Sequence, residues 1–238
     1  MNCEQAGWTR RGRALNWREV RAMLSDPLRL SGLVGISLII ASIVIAAAFY
    51  RGRRGERYSP LNHFISELGE VGVSPAAWVF NLGLMLGGVL LLPFMLGLGM
   101  AFGSVWGWLG TLAGVTASLG AAAVGLYPMN RLTPHMRAAL TYFRAGLVMV
   151  VLFALAILFQ SAPVLPPAAN LLSAAAALSY GAFLWLLGRP PKPGEPNTDE
   201  ILGPQATAPR PRFWTMAVLE WVVFAATVAW IFGVAALS

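Results

Sequence analysis

The chain has 238 residues, 57% of them hydrophobic and 11% charged. A soluble domain carries roughly 25% charged residues and a disordered chain is poor in hydrophobic ones, so both classes are excluded and a polytopic membrane protein is left. The net charge of +7, from 17 basic and 10 acidic residues, sits in the gaps between apolar runs, which favours anionic lipid headgroups over nucleic acid as the partner.

Residues 1–30 read as a basic amphipathic tail. Trp17, Val20 and Leu24 recur at helical spacing with Arg18 and Arg21 between them, as in a helix lying on the membrane surface. The apolar run after it starts too late and runs too long for a cleavable signal peptide. Cys3 is the single cysteine, so an intrachain disulfide and a cysteine metal cage are excluded. The abundance of Arg, Ala and Gly points to a GC-rich, bacterial coding sequence.

Six apolar runs follow, near 31–50, 76–101, 104–127, 135–160, 168–188 and 213–236, each long enough to cross ~30 Å of hydrocarbon. The predicted fold class is therefore all-α: a transmembrane bundle of six helices, with spans one to five in 31–188 and span six in 213–238. Asp26-Pro27, Ser74-Pro75 and Thr133-Pro134 each pair an N-cap side chain with a proline at the first helical position. Ser59-Pro60 has the same form and predicts a short interfacial helix over 60–68, ended by Gly69. Trp78, Trp106, Trp108, Trp185 and Trp214 fall at span ends, as interfacial aromatics do. Pro93 predicts a kink in span two. Residues 189–212, with seven prolines, read as a disordered linker.

Because the spans alternate, the three charged gaps lie on one membrane face, here called face B, and both termini on face A. Face B carries 11 Lys and Arg, counting Arg137 and Arg144, against six in the tail. That count favours face B in the cytoplasm, while the cost of translocating six arginines favours the reverse. Span three carries a seam of small residues: Gly103, Gly107, Gly110, Gly114, Ser118, Ala121 and Gly125. It predicts close packing within the bundle first and a homo-oligomer contact second.

Polar groups in an apolar setting mark where function would lie. His63 and Glu67 are i,i+4 neighbours on the predicted short helix, as are Asn62 and Ser66. Asn81 lies one turn into span two, and Asn130 and His135 flank the start of span four. Arg137, Thr141 and Arg144 share one face of that span. Glu220 enters span six to a depth matching Arg144, which predicts an Arg144–Glu220 ion pair. The ligand-binding candidates are thus Asn62, Asn81, Asn130, Arg137, Arg144 and Glu220. His63, Ser66, Glu67 and His135 are the catalytic candidates, although no GxSxG elbow is present. Two histidines and a carboxylate here lack a zinc spacing such as HExxH, so no metal and no cofactor is expected.

Two segments carry a family resemblance: Asn62-His63-Phe64-Ile65-Ser66-Glu67-Leu68-Gly69 followed by Pro75 to Asn81, and Val124-Gly125-Leu126-Tyr127-Pro128-Met129-Asn130 followed by His135. Together they resemble the Domain of Unknown Function 998 family of six-helix membrane proteins over roughly residues 31–236. In that family a Ser-Asp/Glu-Leu-Gly motif follows span one, which Ser66, Glu67, Leu68 and Gly69 match. Pro128 and His135 match its Pro-x-Asp and later His. Asn130 stands where an acid is usual, which weighs against a catalytic or metal-binding carboxylate there. The layout is also loosely similar to the Frag1/DRAM/Sfk1 family, linked to lipid and membrane homeostasis. The resemblance implies a fold and candidate positions, not a reaction.

Three functions follow in order of expectation. The first is a multi-pass protein of the cell membrane whose polar pocket on face B binds a lipid headgroup or small polar ligand, or supports a membrane complex. The second is a membrane-embedded lipid-modifying hydrolase, with His135 or His63 as base, Glu67 as orienting or acidic group and Arg144 as clamp. The third is a transporter with a pathway past Asn81 or Glu220.

Overall fold

Apolar runs of this length leave the backbone one way to satisfy its polar groups in lipid, and the chain takes it six times. A computed structural model describes residues 26–190, 201 and 209–237. Its helices are α1 (Pro27–Phe49), α2 (Ala77–Phe102), α3 (Val105–Leu126), α4 (Leu132–Leu158), α5 (Asn170–Leu187) and α6 (Thr215–Leu237). All six are long and apolar enough to cross a membrane, α5 together with the 3-10 turn Pro167–Ala169 before it. No strand occurs among the described residues. The N-terminal tail up to residue 25 and most of the Pro-rich linker lie outside the described residues.

Local signals explain some helix starts and not others. Asp26 caps α1 by accepting from the Leu28 amide at 2.9 Å, with Pro27 at the first position, as expected. Helix α2 begins two residues after Pro75, because Ser74 spends its carbonyl on the Ala77 amide in a preceding turn, and its hydroxyl caps nothing. Helix α4 begins at Leu132, before the predicted Thr133 cap, with Arg131 at the cap position. Ser104, unpredicted, caps α3 through the Gly107 amide at 3.1 Å. Pro93 lies inside α2.

Each helix packs chiefly on the next, and α6 returns to α1, so the six form a closed ring. In lipid this association gains little from the hydrophobic effect and depends on close van der Waals contact. The small-residue seam of α3 supplies that contact within the chain. Gly110 faces the Phe153 ring of α4, and Gly114 sits between Met95 of α2 and Met149 of α4. Toward face A the ring is filled by large side chains. Trp230 is fully buried 5.5 Å from Phe153, and its indole N–H donates to Ser173 Oγ at 3.0 Å.

A close helix approach sets a first prediction. A Cβ on Gly88 of α2 would stand 2.7 Å from the Ser118 carbonyl oxygen and 2.8 Å from the Ala122 nitrogen of α3. Neither backbone atom can rotate away, so Gly88→Val must push the helices apart, at a cost of about 1–3 kcal/mol. Gly181→Ala on α5 meets nothing within 4 Å and should change stability little. Reversible unfolding in mixed micelles measures both; equal effects would refute the packing account.

Candidate functional site

The site is built on the 50–76 connection, which caps the ring on face B. The predicted interfacial helix over 60–68 is replaced by a turn and a shorter 3-10 helix, Ile65–Gly69. The amides of Asn62 and His63 both turn back to the Ser59 carbonyl, and Phe64 is extended, so a regular helix cannot pass through. The 3-10 turn is fixed by two acids instead. Glu67 accepts from the Phe64 amide at 2.8 Å, and Glu220 of α6 accepts from the Ile65 amide at 2.6 Å. Both positions are at the N-terminal end of the turn, where free amides favour a carboxylate. The His63–Glu67 helical pairing therefore does not form.

The last described part of the linker is strapped over this cap. Arg210 binds Glu67 bidentately, Nη1 to Oε1 at 3.0 Å and Nη2 to Oε2 at 2.7 Å, and also donates to the Asn62 carbonyl at 2.7 Å. Asn62 Nδ2 returns a bond to the Pro211 carbonyl at 3.0 Å, and the Trp214 amide donates to Leu61 at 2.8 Å. Trp214 stacks edge-on against Phe64 at 4.8 Å. Aromatic groups complete the floor: Tyr58 takes a bond from the Trp221 indole at 3.1 Å and donates to the Phe64 carbonyl at 3.1 Å.

Two separate spaces result. The first, of about 400 Å³, opens beside the strap and is lined by Tyr50, Ser59, Asn62, His63, Glu67 and Arg210 among others. Glu67 is 2% exposed; burial pushes its carboxyl above the ordinary value, against the pull of Arg210 and the Phe64 amide. Burial, aided by the neighbouring Glu67, also raises the Tyr50 phenol, so Tyr50 stays a donor, 3.4 Å from Glu67 Oε2. His63 is 2% exposed and pushed down to about 4, first by burial and then by the Arg210 charge. Its Nδ1 lies 3.2 Å from the Ser59 amide, while its Nε2 and the Asn62 Oδ1 are buried without hydrogen bonds.

The second space is a cavity of about 380 Å³ inside the ring, lined by residues of all six helices and by Phe64, Ile65 and Ser66 of the cap. Its walls are almost wholly aliphatic and aromatic, including Ile36, Ile39, Phe80, Leu91, Phe143 and Phe183. Polar groups occur at two levels. Near face B are Ser66, His135 and Glu220; deeper, Tyr142 and Thr227 line the wall beside Tyr180, whose hydroxyl meets theirs at 3.3 and 2.8 Å. No Lys or Arg lines this cavity among the described residues.

The candidates thus separate by space. His63, Glu67 and Asn62 share the polar pocket; Ser66, His135 and Glu220 share the apolar cavity. Asn81 serves the cap, its Nδ2 donating to the Gly69 carbonyl at 3.0 Å. Asn130, Arg137 and Arg144 are exposed and line neither space. The expected Arg144–Glu220 pair does not form: Arg144 faces outward from α4, and Glu220 is turned to the Ile65 amide. Matching depth fixed height but not rotation about the helix axis. Arg210 is the charge that sequence reasoning missed. Its one available signal was that a buried Glu67 needs a cation, and the sequence does not single out Arg210 over Arg51, Arg53, Arg54 and Arg57 of the same connection. Among the described residues, no three His, Cys, Asp or Glu side chains gather closely enough to hold a metal ion.

Six apolar helices closed in a ring under a polar cap define a polytopic, all-helical membrane protein. Residues 33–237 match the family described as a protein of unknown function (DUF998), and the chain belongs to that family. No curated protein and no solved structure matches it.

Proposed function

We propose that this protein binds a membrane lipid, with the hydrocarbon chain in the ring cavity and the polar end toward face B, in the cell membrane. The observation that carries this reading is an apolar space of about 380 Å³ inside the bundle, bordered by polar groups only in places. A cavity of that size and lining suits hydrocarbon and not a hydrated solute, which also counts against a pathway for polar substrates.

The test fills the cavity. Ala139 of α4 lines it and is half-buried. Ala139→Phe should remove co-purifying lipid in native mass spectrometry while unfolding stability holds or rises. Lipid retained at wild-type occupancy would sink the proposal, as would a wild-type protein that carries none.

A hydrolase is the second reading. In its favour, Ser66, His135 and Glu220 border one cavity. Against it, Ser66 Oγ lies 3.8 Å from Met129 Sδ and has no hydrogen bond to His135 or Glu220 among the described residues. A fluorophosphonate probe that labels Ser66 in wild type and not in His135→Leu would favour the hydrolase.

A further inference from the structure

We infer that the face B end of the ring cavity is a hydroxyl-recognition site, which takes the alcohol group of an uncharged long-chain lipid and rejects carboxylate and phosphate headgroups. The inference rests on the chain-binding reading above and specifies its ligand.

The argument begins with His135, which is 4% exposed and lines the cavity. Its Nδ1 is 2.8 Å from the Tyr127 carbonyl oxygen. A carbonyl only accepts, so Nδ1 carries the hydrogen, and in the neutral ring Nε2 is a bare acceptor. Nε2 has no hydrogen-bond partner among the described residues. Nε2 opens to the cavity, so a donor brought by a ligand can reach it and complete the hydrogen bonding of the ring.

The neighbouring groups ask for the same chemistry. Glu220 spends Oε2 on the Ile65 amide, and its Oε1 has no partner among the described residues. Ser66 follows Ile65 directly, and its hydroxyl has only the weak contact to Met129 Sδ at 3.8 Å. The polar end thus offers the His135 acceptor, the Glu220 carboxyl and one hydroxyl that can rotate to either role. An alcohol can donate to His135 or Glu220 and accept from Ser66. A carboxylate or an ionised phosphate has no hydrogen of its own to donate to His135, and finds no lining Lys or Arg to offset its desolvation. Arg144, expected as the clamp, and Arg137 are both exposed and line no part of the cavity.

The test is competition photolabelling on the full chain in nanodiscs. The probe is octadecane bearing a diazirine, and peptide mapping reads its insertion into cavity residues. Competitors are octadecanol, monostearoylglycerol, stearate, octadecylamine and octadecyl phosphate. Octadecanol and monostearoylglycerol should compete at least about tenfold better than stearate and octadecyl phosphate, and better than the amine. His135→Leu should bring that preference to within about threefold while octadecane labelling persists, since the variant removes a polar contact and no wall. Ser66→Ala gives a second reading with no risk to the His135–Tyr127 contact. Equal competition by the anions, a stronger amine, or a preference unchanged in both variants would overturn the hydroxyl site. Failure of octadecane to label the cavity, or labelling indifferent to Ala139→Phe, would remove the chain-binding reading and this inference with it; labelling without headgroup ranking would remove the inference alone.

Discussion

Arg210→Met is expected to destabilise the protein by about 3–5 kcal/mol, the usual cost of leaving a buried charge without its partner. Glu67 is 2% exposed, and Arg210 supplies both of its side-chain ion-pair bonds, at 3.0 and 2.7 Å. Without them Glu67 keeps the Phe64 amide at 2.8 Å and the Tyr50 hydroxyl at 3.4 Å. The pair need not be worth that much in itself. Arg210→Met combined with Glu67→Leu should recover most of the loss, because two apolar groups in the same volume leave no charge stranded. The single variant also changes pH dependence. Burial already holds the Glu67 carboxyl above its ordinary value, and removing Arg210 removes the largest opposing influence. The folded state then holds a proton that the unfolded state releases, so stability falls as pH rises above the ordinary carboxyl range. The deficit of Arg210→Met should therefore be larger at pH 8 than at pH 5, roughly by the part of that cost that protonation relieves. Reversible unfolding in mixed micelles at both values checks it; a pH-independent deficit, or a double variant as damaged as the single one, would contradict the strap.

The strap also marks where the sequence stopped being legible. Span positions were readable because apolar length in lipid has one structural solution, and each helix lies within four residues of its predicted run. The seam of α3 was readable because only small side chains let backbones approach, as Gly110 and Gly114 do against α4. The cap was not. Ser59-Pro60 carries a helix-start signal, yet the outcome there depends on Glu220, 155 residues away from Ile65 in the chain, drawing the turn by one amide. Arg210 and Glu67 are 143 residues apart, and nothing local to either announces the other. Composition made 189–212 look like a linker throughout, whereas its described end is hydrogen-bonded to the cap. The single polar pocket expected on face B became two spaces for the same reason: helix spacing groups His63 with Glu67, while the turn that forms sends Ser66 to the cavity and leaves those two in the pocket.

Acid should weaken the protein through His63, with a sign opposite to that of Glu67. The ring is neutral in the folded state, pushed down to about 4 by burial first and the Arg210 charge second, while the Ser59 backbone and Glu56 pull weakly the other way. An unfolded chain binds a proton at an ordinary histidine value, near 6.5. Between these values the unfolded state carries more protons, so stability rises with pH across that window and is lost as pH falls. The loss at pH 5 relative to pH 7.5 is about 2 kcal/mol for this one group. His63→Phe keeps a ring against Tyr50 and Tyr58, which lie 5.4 and 5.2 Å away, and removes the titration. Glu67 and Arg210 are present in both proteins, so the difference between the two pH profiles isolates His63. The variant should show a flatter profile from pH 7.5 to 5, at the cost of a constant offset from the lost Ser59 contact. Arg210→Met should shift the acid limb of the His63 profile upward, because a cation that disfavours protonated His63 is gone. Parallel profiles for wild type and His63→Phe would mean that the buried ring does not titrate in this window and that acid acts elsewhere.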